Sequence, residues 1–277
     1  MKLLRYGELD AEKWGVLDQE GRIRALGDAL LSVSGEVLSP HWLAQVQKLD
    51  PETLPLLKAQ RRIGACVPRP RNFVCVGANY ADHAAEAGIR PPREPILFLK
   101  ALSAFSGPCD DIEIPPGSGS TDYEVELGVV IGTKAKRVSE DNALEHVAGY
   151  CVVNDVSERD YQTKRGGQWD KGKGYDSFGP VGPYLVTKDE VPDPQALHLW
   201  TDVDGERRQD SHTAQMIFSV KYLVAYVSQF FTLHPGDIIA TGTPAGVGMI
   251  KGFLRPGQVV RMGVEGLGEQ TARMIGG

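Results

Sequence analysis

One stretch of the sequence indicates the fold of this chain, Asp122-Tyr123-Glu124-Val125-Glu126-Leu127-Gly128-Val129-Val130-Ile131. Its first half alternates apolar and acidic residues, and this period of two predicts a β-strand with unlike faces. One face carries Tyr123, Val125, Leu127, Val129 and Ile131, and the other carries Glu124 and Glu126. Two carboxylates whose bases lie about 7 Å apart can converge on one cation. An isolated pair of this kind is more often the wet side of a half-buried strand, so other residues must decide.

A third carboxylate, Asp155, follows the nearly wholly apolar run 148–153. A carboxylate at the end of a core strand is costly unless it is paired or bound to a metal. Three oxygen donors without a Cys or His partner indicate a hard cation, Mg²⁺, Mn²⁺ or Ca²⁺, with positions left for water and substrate. The alternative is an ion pair of Asp155 with Arg159 or Lys173.

Polar residues are dense after this strand, from Asn154 to Asp160 and at Gln162, and Lys173 then lies between two glycines. A lysine flanked by glycines can approach a substrate oxygen closely, although most such lysines are solvated loop residues. The density of polar groups beside a core strand favours a site.

His83 and Glu86 are spaced i, i+3, so a short helix would place them on one face. A carboxylate beside an imidazole raises its basicity and fixes its tautomer, as a general base for water requires. The alternative is an exposed helix with a chance His–Glu pair. The following segment 88–95, rich in proline and charge, is typical of a surface excursion that can act as a lid.

The glycine-rich segment 241–248 directly follows a predicted strand. It lacks the Gly-Lys-Ser/Thr of a P-loop and opens no dinucleotide-binding unit. We expect its backbone amides and the Thr243 hydroxyl to hold a carboxylate instead.

The 277 residues suffice for one large domain of roughly 200 residues plus a smaller appendage. The proline-rich stretch 67–70 predicts a boundary between an N-terminal α/β domain, 1–69, and a catalytic domain, 70–277. Strands are predicted at 2–6, 14–17, 22–26, 73–76, 96–99, 123–131, 150–153, 182–186, 197–203, 237–241 and 258–264. Helices are predicted after Ser39-Pro40 and over 213–231, and Asp204-Gly205 predicts a hairpin turn. Many strands with few crossover helices indicate an α+β, mainly β fold built on a rolled, mixed sheet.

Composition excludes several classes of protein. Hydrophobic residues make up 42% and charged residues 24%, and no run approaches the roughly 18 apolar residues of a membrane span. The amino terminus has no secretory-signal pattern, so we expect a soluble, cytoplasmic protein. A net charge of −6 without a basic run argues against nucleic acid, and four scattered cysteines predict reduced thiols. A small molecule is the expected partner.

Taken together, these clusters closely resemble the fumarylacetoacetate hydrolase family over nearly all of 70–277. The resemblance rests on Gly77-x-Asn79-Tyr80-x-x-His83-x-x-Glu86, Phe98-Leu99-Lys100, Asp122 to Leu127, Asn154-Asp155 through Arg159-Asp160, and Thr241-Gly242-Thr243-Pro244. The opening Met1 to Gly7 looks like a bacterial subgroup labelled ureidoglycolate lyase or 2,4-diketo-3-deoxy-sugar-acid (L-rhamnonate or L-fuconate) hydrolase.

The resemblance implies a homodimer with a divalent-metal site. It implies Glu124, Glu126 and Asp155 as ligands of Mg²⁺ or Mn²⁺, with Ca²⁺ possible in a crystal. Gln162, Lys173 and Thr243 would contact the substrate with support from Arg159, and His83 and Glu86 would activate water on a lid.

The expected activity is cleavage of a carbon–carbon bond in a 2,4-diketo acid, such as 2,4-diketo-3-deoxy-L-rhamnonate or -fuconate, to pyruvate and a hydroxy acid such as lactate. The polar run 204–212 favours a polar acyl side, unless it is only a solvated hairpin. The alternatives are ureidoglycolate lyase, acylpyruvase or oxaloacetate decarboxylase activity at the same metal, because one fold supports several reactions. A non-enzymatic alternative is a calcium-binding structural β domain.

Overall fold

The computed structural model describes residues 1–277, which form strands, short helices and turns. The strands are β1 Lys2–Tyr6, β2 Lys13–Leu17, β3 Ile23–Ala25, β4 Ile63–Gly64, β5 Phe73–Gly77, β6 Ile96–Leu99, β7 Phe105–Ser106, β8 Ile112–Ile114, β9 Thr121–Asp122, β10 Val125–Ile131, β11 Val147–Asn154, β12 Ser157–Glu158, β13 Gly179–Pro180, β14 Leu185–Thr187, β15 His198–Val203, β16 Glu206–His212, β17 Ile238–Ala240, β18 Val259–Val264 and β19 Gly268–Gly276. The α-helices are α1 Pro40–Val46, α2 Ala81–Glu86, α3 Arg159–Lys164, α4 Asp170–Lys173, α5 Val220–Phe230 and α6 Gly248–Lys251.

Two sheets dominate the fold. The larger has ten strands in the order β3-β2-β1-β14-β11-β10-β17-β5-β6, with β4 beside β1, and only β17 and β5 run parallel. The smaller has five strands in the order β16-β15-β18-β19-β8, and only β19 and β8 run parallel. Both sheets are mixed and predominantly antiparallel. The predicted α+β, mainly β fold is confirmed.

Strand β10 is covered on both faces. Val125, Leu127, Val129 and Ile131 belong to an apolar cluster of 35 buried residues. Val130, on the opposite face, belongs to a second cluster of 21 residues that also contains Leu3 and Trp42 from the N-terminal segment. The face that carries Glu126 is therefore dry, and the interpretation of Glu124 and Glu126 as the wet side of a half-buried strand is wrong.

Side-chain hydrogen bonds determine where several elements begin. Ser39 caps α1 by accepting from the backbone N of Trp42 at 3.2 Å, as predicted. The helix predicted over 213–231 begins only at Val220, because the Ser219 hydroxyl caps it and 213–215 form a separate 3₁₀ turn. The strand was predicted to begin at Tyr123, but it begins at Val125. The backbone N of Glu124 donates to the side-chain oxygen of Asn154 and not to a backbone carbonyl of the neighbouring strand.

The N-terminal segment extends the large sheet, because β1 pairs with β14 through Leu3 and Leu185. The domain boundary at residues 69 and 70 remains a prediction. No helix is both long and apolar enough to cross a membrane.

Candidate active site

The three acidic residues expected to bind a metal come together where β10 and β11 meet. These strands pair antiparallel with Val125 opposite Asn154, and the N of Asp155 donates to the carbonyl of Glu124 at 2.9 Å. Glu124, Glu126 and Asp155 are buried, and one carboxylate oxygen from each lies within 4.8 Å of the others. The convergence inferred from the period of two is present.

Two buried lysines contact this cluster. The Nζ of Lys173 donates to Oε2 of Glu124 and to Oδ2 of Asp155, both at 2.6 Å. The Nζ of Lys100 donates to Oδ1 of Asp155 and to the carbonyl of Val156, the latter at 3.0 Å. Each Asp155 oxygen thus has its own ammonium group, and the ion pair with Lys173 that was the alternative to a metal ligand is present.

Arg159 connects the cluster to its surroundings. Its Nε donates to Oδ2 of Asp122 at 2.8 Å, and its Nη2 donates to Oε1 of Glu124 at 2.5 Å. Its Nη1 donates to Oε1 of Gln162 at 3.0 Å. The alternative that paired Arg159 with Asp155 is wrong, because the guanidinium lies against Glu124 and Asp122 instead.

The glycine before Lys173 has a packing role. A Cβ on Gly172 would lie 2.4 Å from the carbonyl oxygen of Glu158 and 2.6 Å from the N of Gln162. Any larger residue would force α4 away from α3. Gly172 therefore lets the backbone approach closely enough to place both Lys173 and Gln162 at the cluster.

The charges within the cluster are unevenly compensated. Burial raises the pKa of Glu124, but the charges of Lys173 and Arg159 outweigh it and lower that pKa to about 2. Burial and the charges of Asp155 and Glu124 instead raise the pKa of Glu126 well above its usual range. Glu126 has no cationic partner, and it accepts only from the N of Gly242, at 2.8 Å. A donor set of three carboxylate oxygens, one of them uncompensated, fits a hard divalent cation.

The glycine-rich turn holds carboxylates of the protein itself. The N of Gly242 donates to Glu126, the N of Gly246 donates to Oε2 of Glu86 at 2.7 Å, and the N of Gly248 donates to Oδ1 of Asp122 at 2.5 Å. Backbone amides in this turn thus bind carboxylates of the chain itself and fix three acidic side chains, and binding of a ligand carboxylate by the turn remains a prediction.

Thr243 is buried in the same turn. Its hydroxyl donates to the carbonyl of Val125 at 2.9 Å and accepts from Nε2 of Gln209 at 2.9 Å. The structure thus places Thr243 beside the start of β10, and its contact with substrate remains a prediction.

His83 and Glu86 lie on α2, but no hydrogen bond or ion pair joins them. Glu86 accepts from Gly246, and Nδ1 of His83 is buried without a hydrogen-bond partner. The water-activating dyad therefore remains a prediction.

Sequence reasoning did not assign roles to three residues that the structure places at the site. Lys100 directly follows the apolar strand β6, and a buried lysine can be inferred from that position. Asp122 opens the decisive stretch and holds both Arg159 and α6. Gln209 is buried and accepts from the N of Val125 at 3.1 Å, yet it lies within a wholly polar run that carries no such signal.

Comparison with known proteins shows the family. The model of the fumarylacetoacetate (FAA) hydrolase C-terminal family matches residues 72–275. A curated protein of Burkholderia multivorans is 60% identical over 274 residues, which cover 98% of this chain and 97% of that protein.

Two solved structures are similar over the whole chain. The 5-carboxymethyl-2-hydroxymuconate delta-isomerase of Mycobacterium smegmatis is 33% identical with a TM-score of 0.80, covering 100% of this chain and 99% of that one. The maleylpyruvate hydrolase of Sphingobium sp. SYK-6, in complex with manganese(II) and pyruvate, is 28% identical with a TM-score of 0.82, covering 100% of both chains. The fold thus accommodates both isomerases and hydrolases.

Lys100→Met tests whether the positive charge of Lys100 stabilises the buried carboxylate of Asp155. Methionine retains most of the volume but leaves Asp155 and the Val156 carbonyl without this donor. We expect the free energy of unfolding to fall by about 3–5 kcal/mol, the usual cost of breaking a buried ion pair. Urea unfolding in EDTA measures it. The control is Lys171→Met, because the Lys171 side chain is exposed and its only hydrogen bond is with the carbonyl of Arg165. Equal stability of the two variants would contradict the assignment.

Proposed function

The chain belongs to the fumarylacetoacetate hydrolase family, and from this premise we propose that it is a divalent-metal-dependent hydrolase that cleaves a carbon–carbon bond in a 2,4-diketo acid. The observation that carries the proposal is the buried cluster of Glu124, Glu126 and Asp155 with Lys173 against two of them. A structural calcium site would need the three carboxylates but not this lysine.

Glu124, Glu126 and Asp155 would hold Mg²⁺ or Mn²⁺, and the manganese in the Sphingobium hydrolase structure supports this choice. When bound, the cation supplies Lewis-acid polarisation of the keto oxygen of a 2-oxo acid. Lys173 adds a fixed positive charge for the negative charge that develops on that oxygen when the bond breaks. Because Lys173 is buried and held by two carboxylates, it is already oriented before substrate arrives.

His83 would take a proton from the attacking water, because the side chain is only half-buried and its ring makes no hydrogen bond within the chain. The resulting hydroxide adds to the distal carbonyl, and the adduct collapses with cleavage of the adjacent carbon–carbon bond, whose electron pair leaves as pyruvate enolate. The proton that His83 took from water returns to the enolate carbon, and the products are pyruvate and a second acid. Glu86 would hold α2 against the glycine-rich turn through its bond with the N of Gly246.

We propose a 2,4-diketo-3-deoxy sugar acid, such as the rhamnonate or fuconate derivative, as the substrate. The support comes from strand β16 of the hairpin, because two of its side chains contact residues of the site. Gln209 contacts Thr243, and the Ser211 hydroxyl donates to Oδ2 of Asp82 at 2.5 Å, next to His83. Hydrogen-bonding groups at this edge suit a hydroxylated acyl side, which an apolar pocket would not distinguish.

A second candidate is decarboxylation, lyase cleavage or isomerisation of a 2-oxo acid at the same metal. The absence of a hydrogen bond between His83 and Glu86 favours it, since these reactions need no base for water. The isomerase name of the Mycobacterium smegmatis protein also favours it.

The proposal is tested by incubating the purified protein with a panel of acids and identifying the products by mass spectrometry. The panel contains 2,4-diketo-3-deoxy-L-rhamnonate, acetylpyruvate, oxaloacetate and ureidoglycolate, each with Mg²⁺ and with EDTA. We expect pyruvate and lactate from the first acid, only with metal, and a higher kcat/KM than for acetylpyruvate. Cleavage of oxaloacetate or ureidoglycolate alone would establish the second candidate. An equal or higher kcat/KM for acetylpyruvate would refute the polar acyl side.

Glu126→Gln separates catalysis from folding. Glutamine keeps the shape of the side chain and can still accept from the N of Gly242. No buried cation loses its partner, whereas Asp155→Asn would weaken the pairing of Lys100 and Lys173. We therefore expect loss of detectable turnover with a thermal midpoint in EDTA close to that of the native protein. Unfolding of the variant would instead favour a structural metal site.

His83→Ala isolates the step that needs a base. We expect the rate of diketo acid hydrolysis to fall by about a hundredfold or more, the usual contribution of a general base. Mn²⁺ affinity, measured by calorimetry, should stay unchanged because His83 is not among the three ligands. The control is His41→Ala, an exposed histidine on α1. An unchanged hydrolysis rate in His83→Ala would remove this residue from the mechanism.

A further inference from the structure

Strand β16 carries two polar side chains on its inner face, Gln209 and Ser211. They lie opposite Thr201 and Leu199 of β15, which are both fully buried. Residues two apart on a strand point to the same side, and their bases lie about 7 Å from each other. The inner face of β16 can therefore contact two neighbouring parts of the protein at a fixed spacing.

Gln209 contacts the strand that carries the proposed metal ligands. Its Oε1 accepts from the N of Val125 at 3.1 Å, and Val125 lies between Glu124 and Glu126 in the chain. Its Nε2 donates to the hydroxyl of Thr243 at 2.9 Å. This part of β16 is thus fixed relative to the carboxylate cluster.

Ser211 contacts the helix that carries His83. Its hydroxyl donates to Oδ2 of Asp82 at 2.5 Å, and Oδ1 of the same carboxylate accepts from the backbone N of His83 at 2.7 Å. One carboxylate therefore connects the inner face of β16 to the backbone of His83.

Helix α2 depends on contacts of this kind for its position. It has only six residues, Ala81–Glu86, and so short a helix has little stability of its own in water. Asp82 attaches its first turn to β16, and Glu86 attaches its last residue to the N of Gly246 at 2.7 Å. His83 lies between these two attachments.

We propose that Ser211 is a positioning residue that fixes His83 relative to the carboxylate cluster, through Asp82. Gln209 attaches β16 to the strand of the ligands, and Ser211 attaches α2 two residues further along the same face. The strand therefore acts as a spacer between the metal ligands and His83. The inference rests on the proposed function, because the position of His83 matters only if this residue takes the proton from water.

Ser211→Ala removes the hydroxyl and leaves the bond between Asp82 and the N of His83 in place. A displacement of about 1 Å at a reacting group costs about a hundredfold in rate, so we expect a partial displacement to lower kcat for 2,4-diketo-3-deoxy-L-rhamnonate by about tenfold. KM and the Kd for Mn²⁺ should keep their native values, because the hydroxyl bonds with Asp82 and with none of the three ligands. Steady-state kinetics and calorimetry measure these quantities.

Two controls accompany this variant. Ser106→Ala changes a half-buried strand serine whose hydroxyl donates to the carbonyl of Ser177 at 3.3 Å, and its kcat should equal that of the native protein. Acetylpyruvate has no hydroxyl on its acyl side for Ser211 to contact, and its kcat should fall by the same factor as that of the sugar acid. A native kcat in Ser211→Ala, a raised KM alone, or a loss confined to the hydroxylated acid overturns the inference.

The His83→Ala background separates positioning from a merely structural role. A residue that acts through His83 has no effect once the imidazole is absent, so we expect Ser211→Ala/His83→Ala to hydrolyse at the rate of His83→Ala. A further loss of about tenfold in the double variant overturns the inference. Asp82→Ala breaks the same bond from the other partner and is measured in both backgrounds with the same expectation. Thermal unfolding in EDTA verifies that each variant folds.

The rates of the single variants distinguish failure of the inference from failure of the proposed function. A native hydrolysis rate in His83→Ala, or no diketo acid hydrolysis by the native protein, overturns both. Slow hydrolysis by His83→Ala together with a native kcat in Ser211→Ala overturns only the inference.

Discussion

The constraint on which the site depends is the placement of three carboxylates within 4.8 Å of one another in a dry interior. Mutual repulsion and lost hydration would make such a cluster unstable without compensation. The chain provides that compensation from distant segments: Lys100 follows β6, Arg159 begins α3, and Lys173 ends α4. The loops that bring these cations inward are thus part of the energetics of the core. A change in any of them removes a cationic partner from a buried carboxylate.

The glycine-rich turn also stabilises buried carboxylates, through its backbone N–H groups. Its amides hold Glu126, Glu86 and Asp122, so the turn sits at the junction of the strand, the short helix α2 and the arginine. Gln209 from the smaller sheet completes this junction, because it binds the N of Val125 as well as Thr243. The two sheets therefore meet at the site itself. Residues that we propose to shape the acyl end of a substrate and residues that hold the proposed metal ligands belong to one hydrogen-bond network.

Local sequence patterns predicted the three acidic residues of this site. The period of two placed Glu124 and Glu126 on one face, and the cost of a carboxylate after an apolar run identified Asp155. Such patterns could not predict that β10 is covered on both faces, because the cover comes from an N-terminal segment over 80 residues earlier in the chain. The role of Gln209 could not be predicted from the sequence either, since its burial depends on contacts between the two sheets. Contacts between distant segments leave no periodic trace in the sequence.

The distribution of charge bears on the proposed binding of a 2-oxo acid. Without a metal, the raised pKa of Glu126 favours its protonated form, and the carboxylates of Asp122, Glu124 and Asp155 then balance the cations of Lys100, Arg159 and Lys173. A divalent cation that displaces the Glu126 proton would leave one excess positive charge, and a single substrate carboxylate would bring the cluster to neutrality. Because uncompensated charge is costly in a buried site, metal and carboxylate are best balanced when both are present. The same balance opposes binding of the carboxylate before the metal, so the arrangement favours an order in which the cation enters first.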